Sequence, residues 1–139
     1  DSQSQQILFF AGAYLYQSGN YTLARIYLEE SLTLSEAIFG RDSIKTILSL
    51  NLLALTLNQL DKNVQAVALL TEALHNIKYC SDGTAKTLIA VKANLAMIMR
   101  QMGNLSGSLQ IYEEIIPECE TQGDTGIFYA NSLSGLAAV

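Results

Sequence analysis

Few side chains in this chain could do chemistry. Its single histidine, His75, follows Glu72 by three residues, a spacing that puts an imidazole and a carboxylate on one helix face, where they could act as general acid and base. Cys80 and Cys119 could serve as nucleophiles or soft metal ligands, but their spacing to each other and to His75 fits no metal-binding pattern. Glu113-Glu114 and Glu118-Glu120 make an acidic run that could attract a basic partner. Asn20-Tyr21-Thr22 and Asn104-Leu105-Ser106 match the acceptor pattern for N-linked sugar. None of these sets joins a nucleophile, a base and an orienting group, and the chain has no Gly-rich phosphate loop or nucleophile elbow. The expectation is a non-enzymatic chain with no cofactor and no metal. His75 and Glu72 then read as solvated side chains, the acidic run as an outer helix face, and the cysteines as thiols of a reducing compartment.

The elements that must carry these residues follow from a repeat. Both Asn triplets come just after a glycine, Gly19 and Gly103, at the same point of a pattern that returns every 42 residues, so they read as turn chemistry. Each copy holds a small residue twelve positions ahead of another: Gly12 and Ala24, Ala54 and Ala66, Ala96 and Ser108. Larger residues return in step, as Leu15, Leu57 and Met99, as Leu28, Leu70 and Tyr112, and as Leu32, Leu74 and Ile116. Apolar residues at helical intervals within a fixed period of this length indicate stacked helical hairpins. Two antiparallel helices approach closely only where one surface offers a small residue, which gives the small pairs their purpose.

Helices are expected at about 4–18, 21–39, 43–59, from the turn Asp61-Lys62-Asn63 to about Tyr79, 84–102, and from Gly103-Asn104 to near Thr121. Gly40 should end the second as a left-handed cap, and Asp42-Ser43 should start the third by accepting from unpaired N–H groups. Ser81-Asp82-Gly83 should break the chain. Pro117 removes a bond to the Glu113 carbonyl, and a kink is expected there. Gln122-Gly123-Asp124 should open a last helix in which Ala138 lies in phase with Ala96. The domain reading is one repeat domain over 1–139, with repeats at about 5–42, 43–83 and 84–124 and the first helix of a fourth at about 125–139. Without an initiating Met, and ending inside a repeat, the chain is expected to be a fragment of a longer protein.

Composition narrows the class of partner. Half of the 139 residues are hydrophobic and 15% are charged, which excludes a disordered tail and leaves more apolar surface than a monomer usually needs. Net charge is −5 and the eight Lys and Arg residues are scattered, so there is no basic stripe for nucleic acid to track. No run is long enough for a transmembrane helix and no signal peptide opens the chain, so a cytoplasmic protein without membrane contact is expected.

The small residues twelve apart, together with Gly19-Asn20-Tyr21-Thr22-Leu23-Ala24 and Gly103-Asn104-Leu105, resemble the tetratricopeptide repeat. The middle copy departs from it at Asp61-Lys62-Asn63. Its usual repeat is 34 residues, and the 42-residue form is similar to that of kinesin light chains: Phe39-Gly40-Arg41-Asp42 looks like their inter-repeat loop, with Ser43-Ile44 where that family favours His-Pro. The resemblance implies an all-α fold, antiparallel helical-hairpin repeats stacked as a right-handed superhelical solenoid whose first helices line a concave face. On that implied face lie Gln6, Phe9, Phe10, Ala13, Tyr16 and Gln17; then Leu48, Asn51, Leu52, Leu55, Asn58 and Gln59; then Ala90, Ala93, Asn94, Met97, Arg100 and Gln101. Chaperone-binding relatives grip a carboxylate tail with Lys, Asn and Arg, but this chain has Phe9, Ala13, Leu52, Ala90 and Asn94 at those places, so capture of an acidic chaperone tail is not expected.

A peptide segment of a protein partner is the ligand such a face suits. Phe9, Phe10, Leu55 and Met97 would take side chains, Asn51, Asn58 and Asn94 would hydrogen-bond its backbone, and Tyr16 and Arg100 would add edge contacts. The competing reading is a structural spacer or a self-association domain within a larger scaffold, forming a homo-oligomer through the Gly135 to Val139 end.

Overall fold

The computed structural model describes residues 1–81 and 85–121, the side chains of 118–121 excepted. The side chains of Glu118, Cys119 and Glu120, the Asp82-Gly83 break, the helix expected from Gln122 and the Gly135 to Val139 surface therefore lie outside what is described. Six helices occur in order: α1 (Ser2–Gln17), α2 (Tyr21–Phe39), α3 (Ile44–Gln59), α4 (Asn63–Ile77), α5 (Ala85–Gln101) and α6 (Leu105–Thr121). The all-α, hairpin-paired expectation holds. Residues Asp1–Gly83 and Thr84–Val139 form two compact units. In the first, α1 packs on α2, α2 on α3 and α3 on α4, and α1 also approaches α3. In the second, α5 packs on α6.

The small pairs sit where the hairpins close. Gly12, Ala24, Ala54, Ala66, Ala96 and Ser108 are all buried. A Cβ at Gly12 would lie 2.6 Å from Leu28 Cγ, so the glycine is the space that Leu28 fills. In the third hairpin the Ser108 hydroxyl donates to the Ala96 carbonyl at 2.9 Å, a polar contact replacing a second methyl. Around these crossings Leu28, Ile47, Leu50, Leu57 and Leu70 form the core of the first unit, and Ile89, Tyr112 and Ile115 that of the second.

The three hairpin turns share one backbone solution. Gly19, Asp61 and Gly103 all take positive φ, at 84°, 61° and 89°. The next residue's N–H returns to the preceding helix in each: Asn20 to the Leu15 carbonyl, Lys62 to Leu57 and Asn104 to Met99, at 2.8 to 2.9 Å. This left-handed cap satisfies carbonyls that the helix end leaves unpaired. Asp61 is a non-glycine residue in that conformation, which Asp tolerates better than most.

Several boundaries differ from expectation. Asp1 accepts from Ser4 N–H at 2.7 Å and so starts α1 two residues early. Gly40 does not take the left-handed helical cap: with φ 84° and ψ 172° it lies in a region essentially reserved for glycine, and its carbonyl accepts from Thr46 at 2.6 Å. Ser43 caps α3 as expected, accepting from Lys45 N–H. α4 stops at Ile77, short of Tyr79, whose ring meets His75 edge-on at 5.7 Å. The turn asparagines divide: Asn104 accepts from Gly107 N–H at 3.1 Å and caps α6, whereas Asn20 makes no such side-chain bond.

Candidate functional site

The N-terminal halves of α1 and α3 are tied together beneath the surface. Gln5, only 3% exposed, donates through Nε2 to Ser31 Oγ on α2 at 3.2 Å, and Ser31 Oγ lies 3.3 Å from Ser49 Oγ on α3. A buried polar chain of this kind fixes the register of three helices, because a shift would leave each group unpaired. Above it lies a recess of about 150 Å³ lined by Gln5, Gln6, Phe9, Phe10, Lys45 and Leu48. That volume suits one bulky side chain rather than a drug-sized molecule, for which several hundred Å³ is usual.

Its lining is apolar with a charged rim. Phe10 is 61% exposed, and Phe9, half-buried, meets it edge-on at 5.8 Å. The Lys45 ammonium stands 4.6 Å from the centre of the Phe39 ring, a cation over a π-face at the end of α2. Sequence reasoning placed Phe9, Phe10, Gln6 and Leu48 on this face but missed Lys45 and Gln5. The signal for Lys45 was its position one turn ahead of Leu48. Gln5 could have been found only from the buried serines that hold it.

Towards the other end of the same helices, Tyr16 is half-buried and its hydroxyl hydrogen-bonds Gln59 of α3. Burial pushes its pKa above the usual tyrosine value of 10, the neighbouring Tyr21 adds to the rise, and the Gln59 bond opposes it. The Tyr16 and Tyr21 rings meet edge-on at 5.5 Å. Between these ends Asn51 and Leu55 are half-buried on α3. Asn58 is 8% exposed, and its amide donates to Asn63 Oδ1 at 2.7 Å, which turns it into the α3–α4 hairpin.

Asn94, Met97 and Arg100 belong to the second unit, all half-buried on α5. Arg100 Nε is buried with no hydrogen-bond partner. Its guanidinium faces Tyr112, where it partly offsets the rise that burial gives that hydroxyl's pKa.

Among the described residues no group of His, Cys, Asp and Glu could hold a metal ion, and no helix is long and apolar enough to cross a membrane. His75 is exposed and meets the Tyr79 ring edge-on, and Glu114 pairs with Lys92 at 3.6 Å. Helices paired as hairpins in this way make a fold class that is generally non-catalytic.

Among the solved structures that share this fold, two superpose over nearly the whole chain. BtubC (BKLC) from P. vanneervenii superposes with a TM-score of 0.86 at 18% identity, covering 96% of this chain and 54% of that one. A Podosopora anserina protein described as a putative kinesin light chain with nearly identical TPR-like repeats superposes at 0.85 with 15% identity, covering 99% and 66%. The chain thus spans between about half and two thirds of the structures it matches. No curated protein matches it. The tetratricopeptide-repeat profile matches residues 4–76, more than half of the sequence. On that match, and on the buried small residues that close its hairpins, the chain belongs to the tetratricopeptide-repeat family.

Proposed function

We propose that the face shared by α1 and α3 binds a peptide segment of a protein partner, with one bulky apolar side chain of the peptide seated between Phe9, Phe10 and Leu48. The observation that carries this reading is the recess itself: an aromatic left largely open to solvent beside a half-buried one, in a hollow of side-chain size. Leu55 and Tyr16 continue the apolar surface along the helices. Asn51 can meet the peptide backbone, since an amide has two donor hydrogens and two acceptor lone pairs and keeps capacity after one contact. Asn58, 8% exposed and turned inward to Asn63, holds the floor of this surface. Asn94, Met97 and Arg100 give the second unit an α5 face of the same composition.

The long-repeat reading belongs to this proposal. The second helices of the three hairpins begin at Tyr21, Asn63 and Leu105, which supports a 42-residue repeat of the kinesin-light-chain type with repeats near 5–42, 43–83 and 84–124. Helices longer by about 6 Å each than those of a 34-residue repeat would lengthen the binding face in proportion. A cytoplasmic setting suits such a module.

Selection of a displayed peptide library on the chain, counter-screened on Phe10→Asp/Leu55→Asp, tests the reading. Enriched peptides with a common apolar anchor, lost by the variant while its helical circular dichroism is unchanged, are expected. Equal enrichment by both proteins would contradict it.

A further inference from the structure

The floor of the recess departs from the repeat. Gln5, Ser31 and Ser49 are buried against one another on α1, α2 and α3. The positions 42 residues later are Ile47, Ala73 and Val91, each buried and apolar, and the position 42 beyond Ile47 is Ile89, buried as well. An aliphatic residue therefore meets the packing requirement of this place in α3 and α5. In α1 an amide is buried instead, at a desolvation cost that its hydrogen bonds offset.

Those bonds fix which way the amide faces. Ser31 Oγ gives its hydrogen to the Gln5 backbone carbonyl at 3.4 Å, so towards the Gln5 side chain it acts as an acceptor, taking a bond from Nε2 at 3.2 Å. Ser49 Oγ, 3.3 Å away, fills the second lone pair of the same hydroxyl. The amide nitrogen of Gln5 is thereby turned towards α2. Its oxygen, Oε1, accepts from no described residue, yet the fold does not seal it from solvent. Since Gln5 lines the recess, Oε1 is the polar atom it presents there, in a hollow walled by Phe9, Phe10 and Leu48 with Gln6 and Lys45 exposed at the rim.

We propose that Gln5 is a specificity-determining residue of this recess, accepting a hydrogen bond from the tip of the peptide's anchor side chain and so selecting tyrosine over phenylalanine. The inference rests on the peptide-binding reading and goes beyond it by fixing the chemistry of the anchor. A phenylalanine ring would strip water from Oε1 and return nothing, whereas a phenol fills the same apolar space and ends in one O–H donor. Lysine and arginine also carry donors at the tip, but they bring a positive charge against Lys45. Tryptophan carries its donor on the side of a wider ring. The preference for Tyr over Phe is about tenfold, from the bond itself and the penalty for leaving its acceptor bare.

The test takes a peptide enriched on the chain from a displayed library, synthesised with Tyr or with Phe at its anchor position. Both forms are titrated against the chain, against Gln5→Ile/Ser31→Ala/Ser49→Val and against Gln5→Met, after circular dichroism has shown each variant to be helical. The triple variant carries the residues that the repeat places at 47, 73 and 91, so it leaves no polar group unpaired. A merely structural role for Gln5 would shift both affinities together; only a direct bond changes their ratio. The expected result is a preference of about tenfold for the Tyr peptide in the chain, falling to parity or below in both variants. Equal affinities in the chain, or a Tyr preference that survives in either folded variant, would overturn the inference and leave peptide binding standing. A library that yields no peptide lost by Phe10→Asp/Leu55→Asp would overturn both.

Discussion

The seam where α1 meets α2 and the face where α1 runs beside α3 belong to one helix, yet they hold their side chains under opposite constraints. At the seam Gly12 leaves no room for even a methyl group against Leu28. Two residues earlier in the chain, Phe10 stands largely in solvent beside a hollow of about 150 Å³. The seam is set by how closely two backbones must approach, and any residue small enough satisfies it. The open face is set by what the rest of the fold leaves uncovered, and it is free to carry recognition.

The difference can be tested first where the seam is tightest. Gly12→Leu forces Leu28 off its site and should destabilise the chain by about 3 kcal/mol, since overpacking a closed contact is felt in full; thermal unfolding followed by circular dichroism would show it. An unchanged midpoint would mean that α1 is not held against α2 as described. Ser108→Ala sharpens the comparison between seams, because it keeps the volume small and removes only the bond to the Ala96 carbonyl. A loss of about 1 kcal/mol in urea unfolding is expected, the usual worth of a buried hydrogen bond. A loss as large as that of Gly12→Leu would show that chemistry, not volume, closes the third hairpin.

Smaller effects fall at the turns and at alkaline pH. Asp61 takes the positive φ that glycine supplies in the other two turns, so Asp61→Gly should stabilise the chain by about 0.5–1 kcal/mol, relief of left-handed strain outweighing the added freedom of the unfolded chain. Destabilisation would point to a role for the Asp61 carboxylate. Burial raises the hydroxyl pKa values of Tyr16 and Tyr112 above 10, so above that pH the folded state keeps protons that the unfolded chain releases. Their contribution is full below pH 10 and declines as pH climbs beyond it. Replacing both with Phe should flatten the stability profile above pH 10, and an unaltered profile would assign the alkaline limit to other groups.

The same contrast explains which parts of the molecule were legible in the sequence. The small pairs, the turn at Gly19 and the full span of α2 could be read because each is imposed locally or by the repeat. The early start of α1 was missed because Asp1 as a cap is visible only once its oxygen is seen to reach Ser4 N–H. Gly40 signalled a helix end, but its ψ is fixed by the Thr46 bond across the loop. The resemblance set Phe9, Phe10, Tyr16, Asn51 and Leu55 on one face, yet it did not separate Asn58, whose amide turns inward to Asn63, from its neighbours. Lys45 stands one turn ahead of Leu48, but its seat over the Phe39 ring at the rim has no signature in the repeat. Side-chain direction in the third dimension, rather than helix phase, decided each of these cases.

The most direct measurement is a titration of the isotopically labelled chain with a peptide enriched on it, followed by amide and methyl chemical shifts. The account predicts the largest changes at Phe9, Phe10, Lys45, Leu48 and Leu55 on α1 and α3, with the outward residues of α2 such as Ile26 and Thr33 unmoved. Changes concentrated on α2 and α4, with the α1 and α3 face silent, would contradict it.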